Sequence, residues 1–289
     1  MPLITVVTAA YAEEKCGAHY LLQTWDSLTG QRMPRGWEWE WVVQEDGEAS
    51  ILGHVLPSND ERIRYGHSGI RRGPGSCRNL ALGRARGELV RNVDADDTLL
   101  DDGLATTIEL LTSHPDAAWC VSERIEFDDD PADGFGAVTQ EPDDIPVTRV
   151  IPRGAIARDL ASTGRFGVHC SSLAARIGHL RAMGGWVGLP RSEDTILVGA
   201  LNVLYPGVYT TRPTFRYRRH RGQLSTEPWS LSLIPEARRI FWQRVEALSS
   251  LRLVGGPCAN SGDDLLALAS EMLTGERYAS TTPTERVPS

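Results

Sequence analysis

The ten residues Glu88-Leu89-Val90-Arg91-Asn92-Val93-Asp94-Ala95-Asp96-Asp97 constrain this chain more than any other stretch. The first half is apolar enough, through Leu89, Val90 and Val93, to lie in a sheet. The second half sets Asp94, Asp96 and Asp97 within four positions, and carboxylates so close cannot be buried together without partners. A strand that runs straight into an acidic cluster points to the carboxyl edge of an α/β sheet, where such folds bind ligands. Hard oxygen donors at this spacing suit Mg²⁺ or Mn²⁺ held against a phosphate. An acidic turn that merely caps the helical pattern from Leu99 to Leu111 fits the same residues.

The segments before the cluster repeat this strand-to-junction design. Leu3-Ile4-Thr5-Val6-Val7-Thr8 is a β-branched run of the kind buried on both faces. It opens into Ala9-Ala10-Tyr11-Ala12-Glu13, where small side chains let a flat ligand approach the backbone and Tyr11 offers a stacking face. Ala18 to Leu28 reads as an amphipathic helix with Leu21, Leu22, Trp25 and Leu28 on one face. A second strand, Trp37 to Val43, ends in Gln44-Glu45-Asp46-Gly47, which places Asp46 to accept a hydrogen bond from a ligand N–H. Ile63-Arg64-Tyr65 makes a short third strand. Ser76 to Arg86 is a helix with Ser76 and Asn79 near its N-cap and Arg78 in its first turn. A cation there is disfavoured unless an anion is near, which marks Arg78 for a phosphate. Each junction, taken alone, also reads as an ordinary surface turn.

After the cluster the pattern gives a helix from Asp101 to Thr112 and a strand from Ala118 to Phe127. An acidic, Pro- and Gly-rich loop follows from Asp128 to Ile145, then a helix from Arg153 to Leu160. Gly167 to Leu173 reads as a strand carrying His169, and Ile177 to Met183 as a short helix stopped by Gly184-Gly185-Trp186. Glu193-Asp194 opens an apolar helix through Ile196, Leu197 and Leu201. Carboxylates at that end suit the helix dipole, and one projecting into a cleft would make a general base. One or two strands between Tyr205 and Tyr217 lead into the basic patch Arg218-Arg219-His220-Arg221, for which phosphate is the natural partner. Pro228 to Leu248 is largely helical with a break at Pro235, and Asp263 to Leu273 is a further helix capped by Ser261.

A net charge of −8 argues against nucleic acid as a partner. Five cysteines without CxxC spacing imply neither a zinc site nor a disulfide framework. No apolar run reaches the ~20 residues of a membrane span and no leader opens the chain, so a cytoplasmic protein without an integral membrane segment is expected. Basic residues are almost all Arg, a bias that fits a GC-rich bacterial coding sequence. Residues 1–225 are expected to form the catalytic domain, 226–275 a C-terminal helical extension and 276–289 a disordered tail. The Trp-bearing stretch from Pro228 to Leu248 could offer an apolar face to a second copy, giving a homodimer.

Taken in order, Val6-Val7-Thr8-Ala9-Ala10-Tyr11, Gln44-Glu45-Asp46-Gly47, Gly75-Ser76-Cys77-Arg78-Asn79, Asp94-Ala95-Asp96-Asp97, Gly184-Gly185-Trp186 with Glu193-Asp194, and Tyr217 through Gln223 resemble one family. It is family 2 of the glycosyltransferases, inverting enzymes of the GT-A fold, an α/β architecture whose Rossmann-like mixed sheet is flanked by helices. The resemblance covers residues 3–225. It implies a nucleotide-diphosphate sugar donor, UDP-sugar favoured, and Mn²⁺ or Mg²⁺ as cofactor. It also implies a small-molecule, carrier-bound or glycan acceptor with a free hydroxyl or amine. By position it implies that Thr8, Ala9, Ala10, Tyr11, Glu13 and Asp46 hold the nucleobase and that Arg78 lies along the nucleotide. Asp94 and Ala95 would face the ribose side, Asp97 would orient the sugar, and Arg218 would stand near the diphosphate. Asp96 would hold the metal, and His220 would be a late metal ligand or a diphosphate contact. Asp194 would be the general base, supported by Glu193 and ionised at neutral pH as an exposed aspartate is.

The chain departs from the family in lacking the Pro and Asn common around Tyr11 and the Asp-Asp-Gly-Ser common at the second strand, so the base-binding wall is altered. It also lacks the QxxRW motif of processive synthases, which favours a single-transfer enzyme. The rival readings are a sugar-phosphate nucleotidyltransferase, whose Gly-rich triphosphate loop is missing from Leu3–Glu13, and a non-catalytic nucleotide-binding relative.

Overall fold

The computed structural model describes residues 1–12, 18–128, 146–220, 223–255 and 263–274. β1 (Leu3–Tyr11), β2 (Glu38–Asp46), β3 (Ile63–His67) and β4 (Leu89–Asn92) form a parallel set in the order β3-β2-β1-β4. The sheet continues through β8 (Ala174–Arg176), β6 (Trp119–Asp128) and β9 (Gly207–Arg219) to β5 (Thr98–Leu99), and β7 (Thr148–Ile151) also pairs with β9. β8 is antiparallel to both β4 and β6, while β9 is parallel to β6. The two reversals cancel, so β1, β2, β4, β6 and β9 all point the same way. Their carboxyl ends, from Tyr11 and Asp46 to Asn92 and Arg219, open on one edge of the sheet.

Side chains alternate along each strand, and both faces of this sheet are covered. Ile4 and Val6 pack with Leu21, Trp25 and Leu28 of α1 (Ala18–Thr29) and Leu104 and Ile108 of α3 (Gly103–Ser113). Val7 faces the other way, toward α2 (Pro74–Arg84), α4 (Ala155–Thr163) and α6 (Glu193–Leu204). A short helix, α5 (Ile177–Ala182), follows β8, and α7 (Pro228–Leu231) precedes α8 (Ile234–Gly255) and α9 (Asp263–Thr274). Phe241, Trp242 and Val245 of α8, with Leu265 and Ala269 of α9, join the α6 side of the core. Gly199 on α6 is what admits the Phe241 ring, since a Cβ there would collide with it. The apolar face expected to meet a second copy is therefore used inside this chain. Of Trp229, Phe241, Trp242 and Val245, only Trp229 is exposed.

Two expectations change. Gly167 to Leu173 is not a strand: residues Cys170–Ser172 form a 3₁₀ turn, and β8 begins only at Ala174. The cause is Ser172, whose buried hydroxyl accepts from the Ser122 N–H (2.9 Å) and donates to its carbonyl (3.0 Å), taking the partners a ladder would have used. α2 starts earlier than the pattern suggests, with Pro74 just inside it and Gly73 at its N-cap (φ +82°). Ser76 and Asn79 are thus not caps, and Arg78 lies in the second turn. Tyr205 to Tyr217 resolves into one long strand, β9. Glu13, residues 129–145, Arg221, Gly222, Ser261 and the tail 276–289 lie outside the described residues. No described helix is long and apolar enough to cross a membrane.

Candidate active site

The acidic turn leaves β4 at the shared edge and is held from two sides. α1 and the residues just past it present a polar stripe at helical spacing, Tyr20, Gln23, Thr24, Ser27 and Gln31. Thr24 Oγ1 donates to the carbonyls of Asp97 (2.7 Å) and Ala95 (3.2 Å). Ser27 Oγ accepts from the Leu99 N–H, and the Gln31 amide bonds the Leu100 carbonyl and the Leu104 N–H. From β9, the Arg218 N–H donates to Asp97 Oδ1 (3.0 Å) and Arg218 Nε to the Asp96 carbonyl (2.7 Å). The Arg218 guanidinium lies between the Tyr20 and Phe127 rings and bonds Gln23. At 2% exposure Arg218 is a strut beneath the turn, while Arg219 points outward to Glu126 and Asp128.

This framework gives the three acids different surroundings. Asp97 is turned inward and 1% exposed. Burial holds its carboxyl well above the usual range, with the charges of Asp96 and Asp94 adding to the effect. Asp96 remains partly exposed, and its Oδ2 stands 2.9 Å from His220 Nε2. A carboxylate and an imidazole converging at a partly open position is a donor set suited to a divalent cation whose remaining sites are filled by phosphate oxygens and water. No cluster of three or more potential protein ligands occurs among the described residues. Asp94 accepts from Arg78 Nη2 (2.6 Å) and from the Asn92 amide (3.3 Å).

Arg78 connects this turn to the head of α6. It is 6% exposed, and while Nη2 holds Asp94, Nη1 bonds Glu193 Oε1. Burial works against its charge, but Asp94, Glu193 and Asp194 outweigh it and keep the guanidinium above its ordinary range. Burial likewise pushes the Glu193 carboxyl up to about 7, Arg78 opposing and Asp194 assisting. The Asp194 carboxyl is raised for the same first reason, again against Arg78 and with Asp94 adding. Its Oδ1 accepts from the Thr195 N–H (2.6 Å). The exposed, freely ionised aspartate expected there is instead half-buried and shifted upward.

At the β1 and β2 ends, Tyr11 and Asp46 are register partners. Tyr11 is 42% exposed, with the Arg71 guanidinium 3.9 Å from its ring centre. Asp46 is buried, and its carboxylate accepts from the N–H groups of Arg72 (2.6 Å) and Gly73 (2.9 Å). It thereby closes the loop before α2 rather than standing open at the edge. The Thr8 hydroxyl is wholly buried, donating to the Val93 carbonyl (2.8 Å) and accepting from the Trp41 indole (2.9 Å). Ala10 is buried and Ala9 half-buried beside it. His169 packs against Tyr217 (5.5 Å), and burial, with Arg124 adding, pulls its imidazole down to about 3, so it is neutral near pH 7.

One edge of the sheet thus gathers Tyr11, Asp46, Asp94, Ala95, Asp96, Asp97, Arg218 and His220, and Arg78 joins them to Glu193 and Asp194. Tyr20, Gln23, Thr24 and Arg91 were not anticipated. Arg91 lies fully buried behind the turn, bonded to Thr107 and Thr214, with burial lowering it to about 10.

Residues 5–144 match the family described as Glycosyl transferase family 2. The succinoglycan biosynthesis protein ExoO of Rhizobium meliloti (strain 1021) is 33% identical over 110 residues, which cover 38% of this chain and 30% of that protein. The matched stretch therefore spans under a third of that relative. Among solved structures, S. aureus TarS in complex with UDP-GlcNAc superposes with a TM-score of 0.65 at 17% identity, covering 94% of this chain and 72% of that one. The mannosyltransferase PcManGT from Pyrobaculum calidifontis, in complex with GDP-Man and Mn²⁺, gives 0.53 at 17% identity over 96% and 77%. At such identities the likeness is one of fold.

Proposed function

This chain belongs to the family 2 glycosyltransferases and has the GT-A fold, and from that premise we propose that it is a metal-dependent, inverting enzyme. In this reading it moves a sugar from a nucleotide-diphosphate sugar to an acceptor hydroxyl or amine. The observation that carries the reading is the meeting, on Arg78, of the acidic turn after β4 and the acid pair that opens α6.

Asp194 takes the acceptor's proton while the acceptor oxygen or nitrogen attacks the anomeric carbon from the face opposite the leaving group. The bond from that carbon to the diphosphate oxygen breaks, its electron pair leaves with the nucleoside diphosphate, and the anomeric centre inverts. One base suffices, because no covalent intermediate forms. Asp96 and His220 would hold Mn²⁺ or Mg²⁺, which would neutralise the departing diphosphate. Asp97, kept inward by β9, would set the position of Asp96 through the turn's backbone. Tyr11 gives the nucleobase a face to stack on once Arg71 moves aside.

UDP is the first nucleotide to test, since the TarS structure holds UDP-GlcNAc. The experiment is a thermal-shift panel of UDP, dTDP, GDP and their sugars, with and without Mn²⁺. A ligand at a hundredfold excess over its Kd should add about 2.7 kcal/mol of stability. A metal-dependent shift with UDP and a UDP-sugar supports the reading. A preference for GDP or dTDP keeps the chemistry and overturns the uracil assignment. A response only to a nucleoside triphosphate with a sugar phosphate replaces it with a nucleotidyltransferase, and no response from a folded sample overturns it.

A further inference from the structure

We infer that Arg78 is a positioning residue that assembles the two halves of the site, one arm of its guanidinium fixing Asp94 and the other fixing Glu193 so that Asp194 is aimed. The inference rests on the proposed transferase reading. It departs from the nucleotide-contacting role that the resemblance implies for this arginine.

Four observations support it. Both Nη atoms are already engaged, with Asp94 and with Glu193, in a side chain only 6% exposed. The Nε is buried as well, so the guanidinium presents almost no accessible donor surface to a nucleotide. Second, α2 grips the segment leading into α6 at two further points. The Asn79 amide brackets Trp186, donating to its carbonyl (2.7 Å) and accepting from its N–H (2.8 Å). Gly75 lies so close that a Cβ would collide with the Val187 carbonyl and stand 3.2 Å from Glu193 Cγ. Third, Ser192, immediately before Glu193, adopts the left-handed conformation (φ 60°) and is the one non-glycine among the described residues with positive φ. Such a conformation persists where its surroundings over-determine it, and the grips from α2 supply that constraint. Fourth, the chemistry of the side chain fits: a planar fork can hold two carboxylates at once, whereas a lysine ammonium is a point charge on a flexible stem.

The test compares Arg78→Lys and the double variant R78M/E193Q with the wild type. The double variant removes the buried cation together with the carboxyl it holds and guards against a failure to fold. UDP binding is measured by calorimetry with Mn²⁺, and turnover as UDP released from UDP-GlcNAc. In that assay water is the acceptor, its oxygen bonding to the anomeric carbon, its proton passing to Asp194, and the electron pair leaving with UDP. Amide hydrogen exchange across residues 186–196 is read in parallel.

Misplacing a reacting group by an ångström can lower a rate about a hundredfold, so both variants should lose turnover of that order at saturating donor. Their Kd for UDP should stay within about threefold of the wild type, because uniform binding is not what was removed. Amides at 192–196 should exchange faster. A near-native R78K rate would overturn the inference by showing that charge without the fork is enough. A tenfold weaker Kd at unchanged turnover would overturn it in favour of a nucleotide ligand. If the wild type binds UDP but releases none from UDP-GlcNAc, the donor assignment fails separately, and the exchange measurement decides: unchanged protection at 192–196 in R78M/E193Q overturns the positioning role, and faster exchange supports it.

Discussion

Glu193→Gln tests which of two opposed forces governs the buried acid at the head of α6. Burial favours the neutral carboxyl, whereas Arg78, bonded to Oε1, favours the carboxylate, and the neighbouring Asp194 opposes it. Burial prevails and holds the group at about 7 against an ordinary 4.5. That displacement is worth on the order of 3 kcal/mol between the protonation states. Between those two values the folded chain keeps a proton that the unfolded chain has released. The stability this group contributes is therefore complete below about 4.5 and is lost as the pH rises through about 7. Glutamine has no such proton, so E193Q lacks the slope. In urea unfolding from pH 5 to pH 8, the wild type should lose about 3 kcal/mol relative to E193Q. Asp194 shares the burial and the same cation, so the titration belongs to the pair, and D194N measured alongside shows how it divides. A stability difference that does not change with pH would refute the claim that burial governs. A wild-type advantage that is flat from pH 5 to 8 and falls away only below about 4.5 would mean that Arg78 wins and the ion pair stabilises the site.

Asp96→Ala should abolish the Mn²⁺-dependent part of the UDP thermal shift and leave the metal-free shift as it was. Asp194→Asn should keep UDP affinity while lowering transfer by about 10²–10⁴-fold, the range for removing a positioned base; initial rates at saturating donor check it. In the wild type the acid limb of the rate profile should lie above the ordinary aspartate range, because burial raises the Asp194 carboxyl and only its ionised form accepts a proton. Gly75→Ala drives a methyl into the Val187 carbonyl and should cost about 1–3 kcal/mol in urea unfolding.

β1 was readable because a parallel strand buried on both faces is a largely apolar run, and Leu3–Thr8 is such a run, while β4 was marked by Leu89, Val90 and Val93 around Arg91 and Asn92. The acidic turn was readable because its residues are adjacent. What each side chain does there was not, since the deciding partner lies far along the chain. Asp97 faces inward because the β9 backbone at Arg218 takes its Oδ1, and Arg78 is buried because Glu193 waits 115 positions later. Asp46 meets the Arg72 and Gly73 amides only because the loop before α2 turns back on β2. Two further signals are present in the sequence. Arg218 and Arg219 end a strand, and neighbours on a strand face opposite ways, so the basic patch could not act as one surface. Tyr20, Gln23, Thr24 and Ser27 recur at helical spacing beside the apolar Leu21, Trp25 and Leu28. A polar stripe beside an apolar one marks a second face with work to do, and here it carries the acidic turn.

The distribution of burial within the acid cluster bears on how it can exist before any ligand arrives. Arg78, Arg91 and Arg218 stand among five acids: Asp94, Asp96, Asp97, Glu193 and Asp194. At the deepest positions, Asp97 and Glu193, at 1% and 5% exposure, burial raises both carboxyls and so opposes a further buried negative charge. Asp94 and Asp96 are the half-buried acids of the turn, one on Arg78 and the other on His220. A chain built this way ties its inward acids into the framework through Arg78 and the Arg218 backbone and turns its outward acids toward the edge where the strands end.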